Sequence, residues 1–374
     1  MPLSPGHWSK RGAPVSSYDV IIVGAGPAGA TLGYELGRRG LTVLILEKEK
    51  IPRYKPCAGG ITSRALSLLD FDISAVTERI AYGVRIMYQF SDECTKRHTE
   101  PLVYLVMRSK FDHLLVQKAQ EAGASLVDGV RADELEITAS GVKVMTPEGP
   151  FTAKVIAGAD GAKGMVAKRL GLMRDVELGI AIEAEVSVTQ DELADWDSLI
   201  GLDYGQIPDG YAWVFPKKDH LSVGVGGPVH LSKRLKPYLE RLLQHLGKYD
   251  IIDLTGHLMP LRRRGMAIQR GNVLLLGDAA GLIHPLTGEG IYYAIRSAQL
   301  AAPVIADALH ADTVNLKDYQ QAVDSQLMHG LEEGRAILKI FSQSPRFYFD
   351  LVKRSDIVWM HICQALLGAR PVFV

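Results

Sequence analysis

Gly24, Gly26 and Gly29 fall in a GxGxxG spacing directly after the apolar run DVIIV and at the opening of a helical pattern. Glycines so spaced can hold a phosphate. The first permits a tight turn, the second lets backbone approach a pyrophosphate, and the third brings helix and strand into close contact. The free N–H groups of the helix start, around Pro27 and Ala28, then supply the anion site. Glu47 ends the next apolar run, 18 residues beyond Gly29, where a carboxylate can accept hydrogen bonds from a ribose diol. A structural glycine turn with a solvated glutamate would satisfy the spacing alone. Strand, helix, spacing and acid together predict a dinucleotide site.

Two later stretches, VIAGADGAKG around Asp160 and NVLLLGDAAGLIHPLTGEGIYYAI from Asn272, resemble the DG and GD signatures of FAD-dependent oxidoreductases of the hydroxylase type. The resemblance implies FAD rather than NAD. It sets Gly277 and Asp278 behind a buried strand, with the acid on the ribityl or pyrophosphate part. Pro285, Gly288, Gly290 and Ile291 then form a turn and helix start aimed at the flavin, suited to negative charge on its reduced form. Arg108 stands where this fold family carries a flavin-contacting arginine; an exposed arginine opening a helix is the plain alternative. The DG stretch departs from its commoner form, with Gly164 and Ala167 where Ser and Arg are usual. No second GxGxxG occurs, because VGVGG, residues 223–227, has the wrong spacing and lies in a strand pattern. Electrons are therefore expected from transiently docking NAD(P)H or from a reduced carrier protein such as ferredoxin.

These groups require a frame. The segment from Tyr18 to Lys48 reads as strand, turn, helix and strand, a βαβ unit. A helix follows with Phe111, Leu114, Leu115 and Ala119 on its apolar side, then a hairpin in ELEITASGVKVMTPEG, then a buried strand before Asp160. Residues 176–260 are strand-rich, and the chain after Ile291 is mostly helical. The predicted class is α/β: a Rossmann-like, p-hydroxybenzoate hydroxylase-like FAD-binding domain with an inserted antiparallel β-sheet substrate domain and a C-terminal helical region. The expected boundaries are a disordered leader over 1–17, an FAD-binding domain over 18–70, 105–175 and 261–325, a substrate domain over 71–104 and 176–260, and helices over 326–374.

The stretch PDGYAWVFPKK sets Tyr211, Trp213 and Phe215 at alternate positions, hence on one face of a strand. Such a face is either ordinary core or the wall of an apolar cavity, and spacing alone does not choose. Pro208, Tyr211, Trp213, Phe215 and Pro216 resemble the PxxYxWxFP signature of the geranylgeranyl reductase family. KPCAGGI, with Cys57, Ala58 and Gly59, is similar to that family's KPCGGG-type loop, with alanine in place of one glycine. The resemblance runs from about residue 18 to about 325. It implies saturation of isoprenoid C=C bonds in a prenyl diphosphate, a prenyl lipid or pigment, or a menaquinone tail, by hydride from N5 of reduced FAD. It implies roles for Cys57 near the flavin, in substrate gating or proton handling, and for Tyr211 as a second proton relay; a buried, inert cysteine is the alternative. His284 and Glu289 could serve likewise or merely cap turns. Lys217, with Lys218 and His220, and Arg263 within the run Arg262–Arg264 could hold a diphosphate or headgroup at the mouth, or could be solvated faces.

Composition narrows the partners. Lys plus Arg equals Asp plus Glu, 42 against 42, so no global field attracts nucleic acid. Cys57, Cys94 and Cys363 are scattered, which argues against a disulfide framework, a metal site or an iron–sulfur cluster and fits a cytoplasmic protein. No apolar run is long enough to span a bilayer. The C-terminal stretch mixes Arg and Lys with Phe341, Phe347, Tyr348, Phe349 and Trp359, so it could rest on the inner face of the cell membrane or cover the FAD lobe. Two other functions use the same motifs: an FAD-dependent aromatic monooxygenase, and a non-catalytic flavin-containing carrier of prenyl lipid.

Overall fold

Val20, Ile21 and Ile22 are fully buried in the strand Ser17–Val23. A strand apolar on both faces needs cover on both sides, and this one lies between Gly149–Gly158 and Val43–Glu47, parallel to each. The helix Pro27–Gly37 makes the crossover between the first two strands and runs between the helices Arg108–Glu121 and Ile291–His310. It approaches the sheet closely because Gly33 has no side chain: a Cβ there would stand 2.6 Å from Ile45. The sheet extends through Ser125–Asp128 on one side and Val273–Leu275 on the other, and the expected hairpin, Glu134–Thr138 with Gly141–Thr146, joins it through Gly149–Gly158. The computed structural model describes residues 17–138, 141–248, 250–311 and 314–368. The expected leader lies outside them except for Ser17, which opens the first strand.

A second sheet has seven strands among the described residues, in the order Ile251–Leu261, Glu177–Ser187, His220–Pro228, Tyr211–Pro216, Leu199–Tyr204, Gly83–Tyr88 and Asp92–Arg97. All its pairings are antiparallel except that of Leu199–Tyr204 with Gly83–Tyr88. Strand alternation gives it two unlike faces. Ala212 and Val214 enter a core closed by Leu235, Leu239 and Leu242 of the amphipathic helix Ser232–His245. Tyr211, Trp213 and Phe215 look the other way, toward the FAD-binding-type lobe. A small sheet of Gly60–Thr62, Val103–Val106 and Thr77–Ala81 bridges the two.

The last described helices are Lys317–Gln326, Met328–Gln343, Pro345–Arg354 and Asp356–Leu367. Phe349, Trp359 and Cys363 bury their side chains among Val84, Ile86 and Ile200 of the second sheet, and Trp359 donates its indole N–H to Arg97 O at 2.8 Å. The last two helices thus rest mainly on the β lobe, whereas Tyr319, Val323, Met328 and Leu331 of the two before them are buried in the core of the FAD lobe. No helix among the described residues is long and apolar enough to cross a membrane.

Candidate active site

The glycine turn is shaped by close approach. Gly24 takes φ +105°, and a Cβ there would lie 2.3 Å from Ala159 O, so the first motif rests directly on the DG stretch. A Cβ on Gly29 would stand 1.9 Å from Gly24 O, whereas one on Gly26 would meet nothing nearer than Arg53 at 3.7 Å. Only Gly26 faces open space, as a backbone approached by phosphate must. Buried Glu47 accepts from Ala25 N–H at 2.8 Å and Glu49 N–H at 3.1 Å, which fixes its carboxylate on the groove wall. Asp160 accepts from Val166 N–H at 2.9 Å through one oxygen, while the other is buried without a partner and burial raises its pKa. That carboxylate occupies the space above Gly164, where a Cβ would come within 2.2 Å of Oδ1. A serine there would require the Asp160 carboxylate to move.

From this groove a single cavity of about 2210 Å³ extends onto the aromatic face of the second sheet. It exceeds the roughly 300–1,000 Å³ of ordinary ligand pockets, and so has room for a dinucleotide and a second ligand. Gly24, Gly26, Pro27, Ala28 and Glu47 line it at one end, with Asp160 and Asp278. Pro285, Gly288, Gly290 and Ile291 line it from the turn at the start of Ile291–His310, and Cys57, Ala58, Gly59 and Arg108 from the facing loop and helix. Gly29 and Gly277 stand behind the wall: Gly277 donates its N–H to Ser297 at 3.1 Å, and both serve packing rather than contact. The open backbone at Gly26, the fixed carboxylate of Glu47 and the unpartnered oxygen of Asp160 fit FAD.

His257 and Lys55 escaped sequence reasoning. His257 Nε2 lies 3.0 Å from Asp278 Oδ2, and Lys55 Nζ lies 3.3 Å from His257 Nδ1. Burial opposes ionisation of Asp278, yet the hydrogen bond from His257 and the nearby cations hold its pKa down. Burial also lowers that of Lys55. Thr255, His257 and Met259 alternate onto the cavity, but their mixed polarity carries no periodic signal. Arg108 is buried, not an exposed helix start: it grips Asp112 through two bonds of 2.7 and 2.9 Å, and Asp112 also holds Arg53 at 3.0 Å.

The aromatic strip walls the cavity. Trp213 pairs with Gly224 and Tyr211 with Gly226 across the strands, and a Cβ on Gly224 would fall 2.1 Å from the Trp213 ring. Gly224 of the VGVGG stretch thus makes space for the indole. Tyr211 donates its hydroxyl to Thr287 O at 2.5 Å, tying the strip to the GEG turn, and burial raises its pKa. Tyr204 continues the aromatic wall, 5.7 Å from Tyr211 and 5.1 Å from Phe341 of the C-terminal helices. Phe215 lies against Gly60 of the Cys57 loop, where a Cβ would stand 2.8 Å from its ring.

The basic groups assigned to the mouth do not reach it. Lys217 is 1% exposed and bonded to Ala58 O of the Cys57 loop and to Val106 O of the strand Val103–Val106, because its stem runs inward from the strand end. His220 is also buried and pairs with Asp219. Arg263 is exposed, pairs with Glu177 at 3.2 Å and does not line the cavity, while Arg262 is buried against Asp324 and Arg264 holds Glu332. His284 and Glu289 do line it. Burial drives His284 down to about 4, leaving it neutral, and Glu289 is held by Thr62 and by an ion pair with Arg64, whose guanidinium stacks 4.5 Å above Tyr292.

Residues 17–203 match the family described as FAD binding domain. A digeranylgeranylglycerophospholipid reductase of Methanopyrus kandleri is 30% identical over 87% of this chain and 91% of its own length; an uncharacterized protein of Methanosarcina barkeri is 31% identical over 90% and 87%. Among solved structures, a geranylgeranyl bacteriochlorophyll reductase-like protein of Thermoplasma acidophilum superposes with a TM-score of 0.84 at 24% identity, covering 94% of this chain and 95% of that one. The flavin-dependent brominase Bmp2 shares the fold, at a TM-score of 0.77 and 21% identity over 95% and 94% of the two chains. With its cofactor groove, its Cys57 loop and its aromatic strip on one cavity, the chain belongs to the geranylgeranyl reductase family of FAD-dependent oxidoreductases.

Proposed function

We propose that this protein saturates isolated C=C bonds of an isoprenoid chain, carried by a prenyl diphosphate, a geranylgeranylated lipid or pigment, or a menaquinone tail. The observation that carries this reading is the continuity of the cavity from the cofactor groove to the apolar chamber walled by Tyr211, Trp213 and Phe215. The name of the M. kandleri relative supports a prenyl substrate. Reduced FAD supplies the hydride when bound, drawn from NAD(P)H or a carrier such as reduced ferredoxin.

The chain's own residues meet the remaining demands. A trisubstituted alkene is a poor electrophile, so both carbons must be held still and water kept out. Trp213, Tyr211 and Phe215 provide a rigid apolar wall, and their faces favour developing positive charge on the substituted carbon. Cys57 lines the same cavity and is the group assigned to proton handling there. Tyr211 is the weaker proton donor, its hydroxyl engaged by Thr287 and its acidity reduced by burial. The chain reaches a lipid substrate through the C-terminal helices. Of the 13 exposed large apolar side chains among the described residues, seven lie between Ile337 and Ile362, on helices that also line the cavity, and Lys339 and Arg354 stand exposed beside them. Such a surface suits the interface of an anionic bilayer.

The test is to reduce the purified flavoprotein without oxygen and offer prenyl diphosphates, prenyl ether lipids and menaquinones. A product heavier by two hydrogens per bond is expected from at least one class. Substrate-dependent oxygen uptake with a hydroxylated product, or bound prenyl compound recovered unchanged, would replace this reading with oxygenation or carriage.

A further inference from the structure

We infer that Lys217, with the buried carboxylate of Glu183 nearby, is a positioning residue that clamps the backbone of the Cys57 loop and so sets the cysteine in the cavity. The inference rests on the proposed function only for what the cysteine then does. Lys217 leaves the end of the aromatic strand and runs beneath the loop, where Nζ donates to Ala58 O at 2.5 Å and to Val106 O at 2.9 Å. One ammonium thus joins the loop to the strand Val103–Val106 below it. The Lys217 backbone is itself fixed, since its N–H donates to His220 O at 2.8 Å and its carbonyl accepts from Arg79 at 2.9 Å. Glu183 is 5% exposed on the neighbouring strand Glu177–Ser187 and, with Cys57 and Lys217, lines the small space under the loop. Opposite charges thus lie buried under one short stretch, and the ammonium holds it at the carbonyl of Ala58.

The loop is built to sit down on this pair. Positive φ falls at Gly59, +67°, and not at Ala58, so alanine in the KPCAGG loop costs no backbone strain. A Cβ on Gly59 would stand 2.1 Å from Val106 O and 2.8 Å from Lys217 Nζ. Beneath lies a void of about 10 Å³ lined by Cys57, Arg108, Glu183 and Lys217, room for one water at most. Gly59 N–H then points at Cys57 Sγ, 3.4 Å away. Burial lowers the pKa of Lys217 and raises that of Glu183; Glu78 and Glu185 face the ammonium from farther off, and Arg108 faces the carboxylate. Taking two charges out of water is poor value for stability, because an apolar pair of equal volume often does as well. What the charges add is fixed geometry of the peptide they hold.

The test uses the FAD-loaded protein and the variants Lys217→Met, Glu183→Leu and the double change. Three readouts are followed: the alkylation rate of Cys57 by iodoacetamide, resolved by peptide mass; kcat and KM with geranylgeranyl diphosphate; and the visible flavin spectrum. Lys217→Met is expected to keep its flavin, to alkylate at Cys57 on the order of tenfold faster, and to lose about tenfold in kcat with KM within about twofold. A folded, flavin-loaded Lys217→Met protein with unchanged alkylation and unchanged kcat would overturn the clamp. If either single variant fails to fold, the double variant, with no uncompensated charge, carries the same readouts. The alkylation arm contains no alkene, so it judges the clamp even if the wild-type protein reduces no prenyl chain.

Discussion

Trp213 lies against Gly224, and the contact is tight enough to be read as a fit between one large residue and one absent side chain. A Cβ at Gly224 would overlap the indole at 2.1 Å. Gly224→Ala should therefore push the ring into the cavity, cost about 1–3 kcal/mol by overpacking, and cut turnover on long prenyl chains while FAD stays bound. Thermal melts and product masses would check this; an unshifted melting temperature with full turnover would show that the indole has freedom it is not credited with. Residues of this kind were half legible. Period-two spacing told that Tyr211, Trp213 and Phe215 share a face, but not that the face looks onto space. Lys217 was illegible, because a lysine beside another lysine at a strand end reads as solvated, and its partner Ala58 is 159 residues away in the chain.

At the scale of elements, the turn before Ile291–His310 is where pH acts. His284 stacks on Tyr293 at 6.1 Å, and its ring fills the place of a Cβ on Gly334. Burial and the Arg64 charge push it down to about 4, below the roughly 6.5 of an unfolded histidine. A base with a depressed folded pKa contributes stability that is fully present above about pH 6.5 and is lost as pH falls through about 4, up to about 3 kcal/mol. His284→Asn should flatten that part of the stability profile; urea midpoints at pH 7 and pH 4.5 that fall in parallel for both proteins would refute the assignment. The C-terminal helices carry the other expectation at this scale. Ile340→Asp with Phe347→Asp, at side chains 51% and 60% exposed, should abolish flotation with anionic vesicles and leave folding intact; equal flotation would place the lipid face elsewhere. The βαβ unit and the hairpin were visible in periodicity because their partners are close in sequence. The pairing of Leu199–Tyr204 with Gly83–Tyr88 joins segments about a hundred residues apart, which no local pattern encodes.

On the scale of the whole molecule, two lobes contribute opposite walls of one cavity, and neither makes it alone. The parallel sheet supplies the phosphate turn and the carboxylates of Glu47, Asp160 and Asp278; the second sheet supplies the aromatic wall, and the C-terminal helices close it. A balanced net charge leaves recognition to this interior and to the apolar rim. The account stands on an alkene reaching the bound flavin, and the most direct measurement is an anaerobic single turnover. With the protein fully reduced and oxygen absent, adding the prenyl compound should return the oxidised flavin absorbance, one double bond lost per flavin. A flavin that stays reduced for every prenyl compound until oxygen is admitted would contradict it.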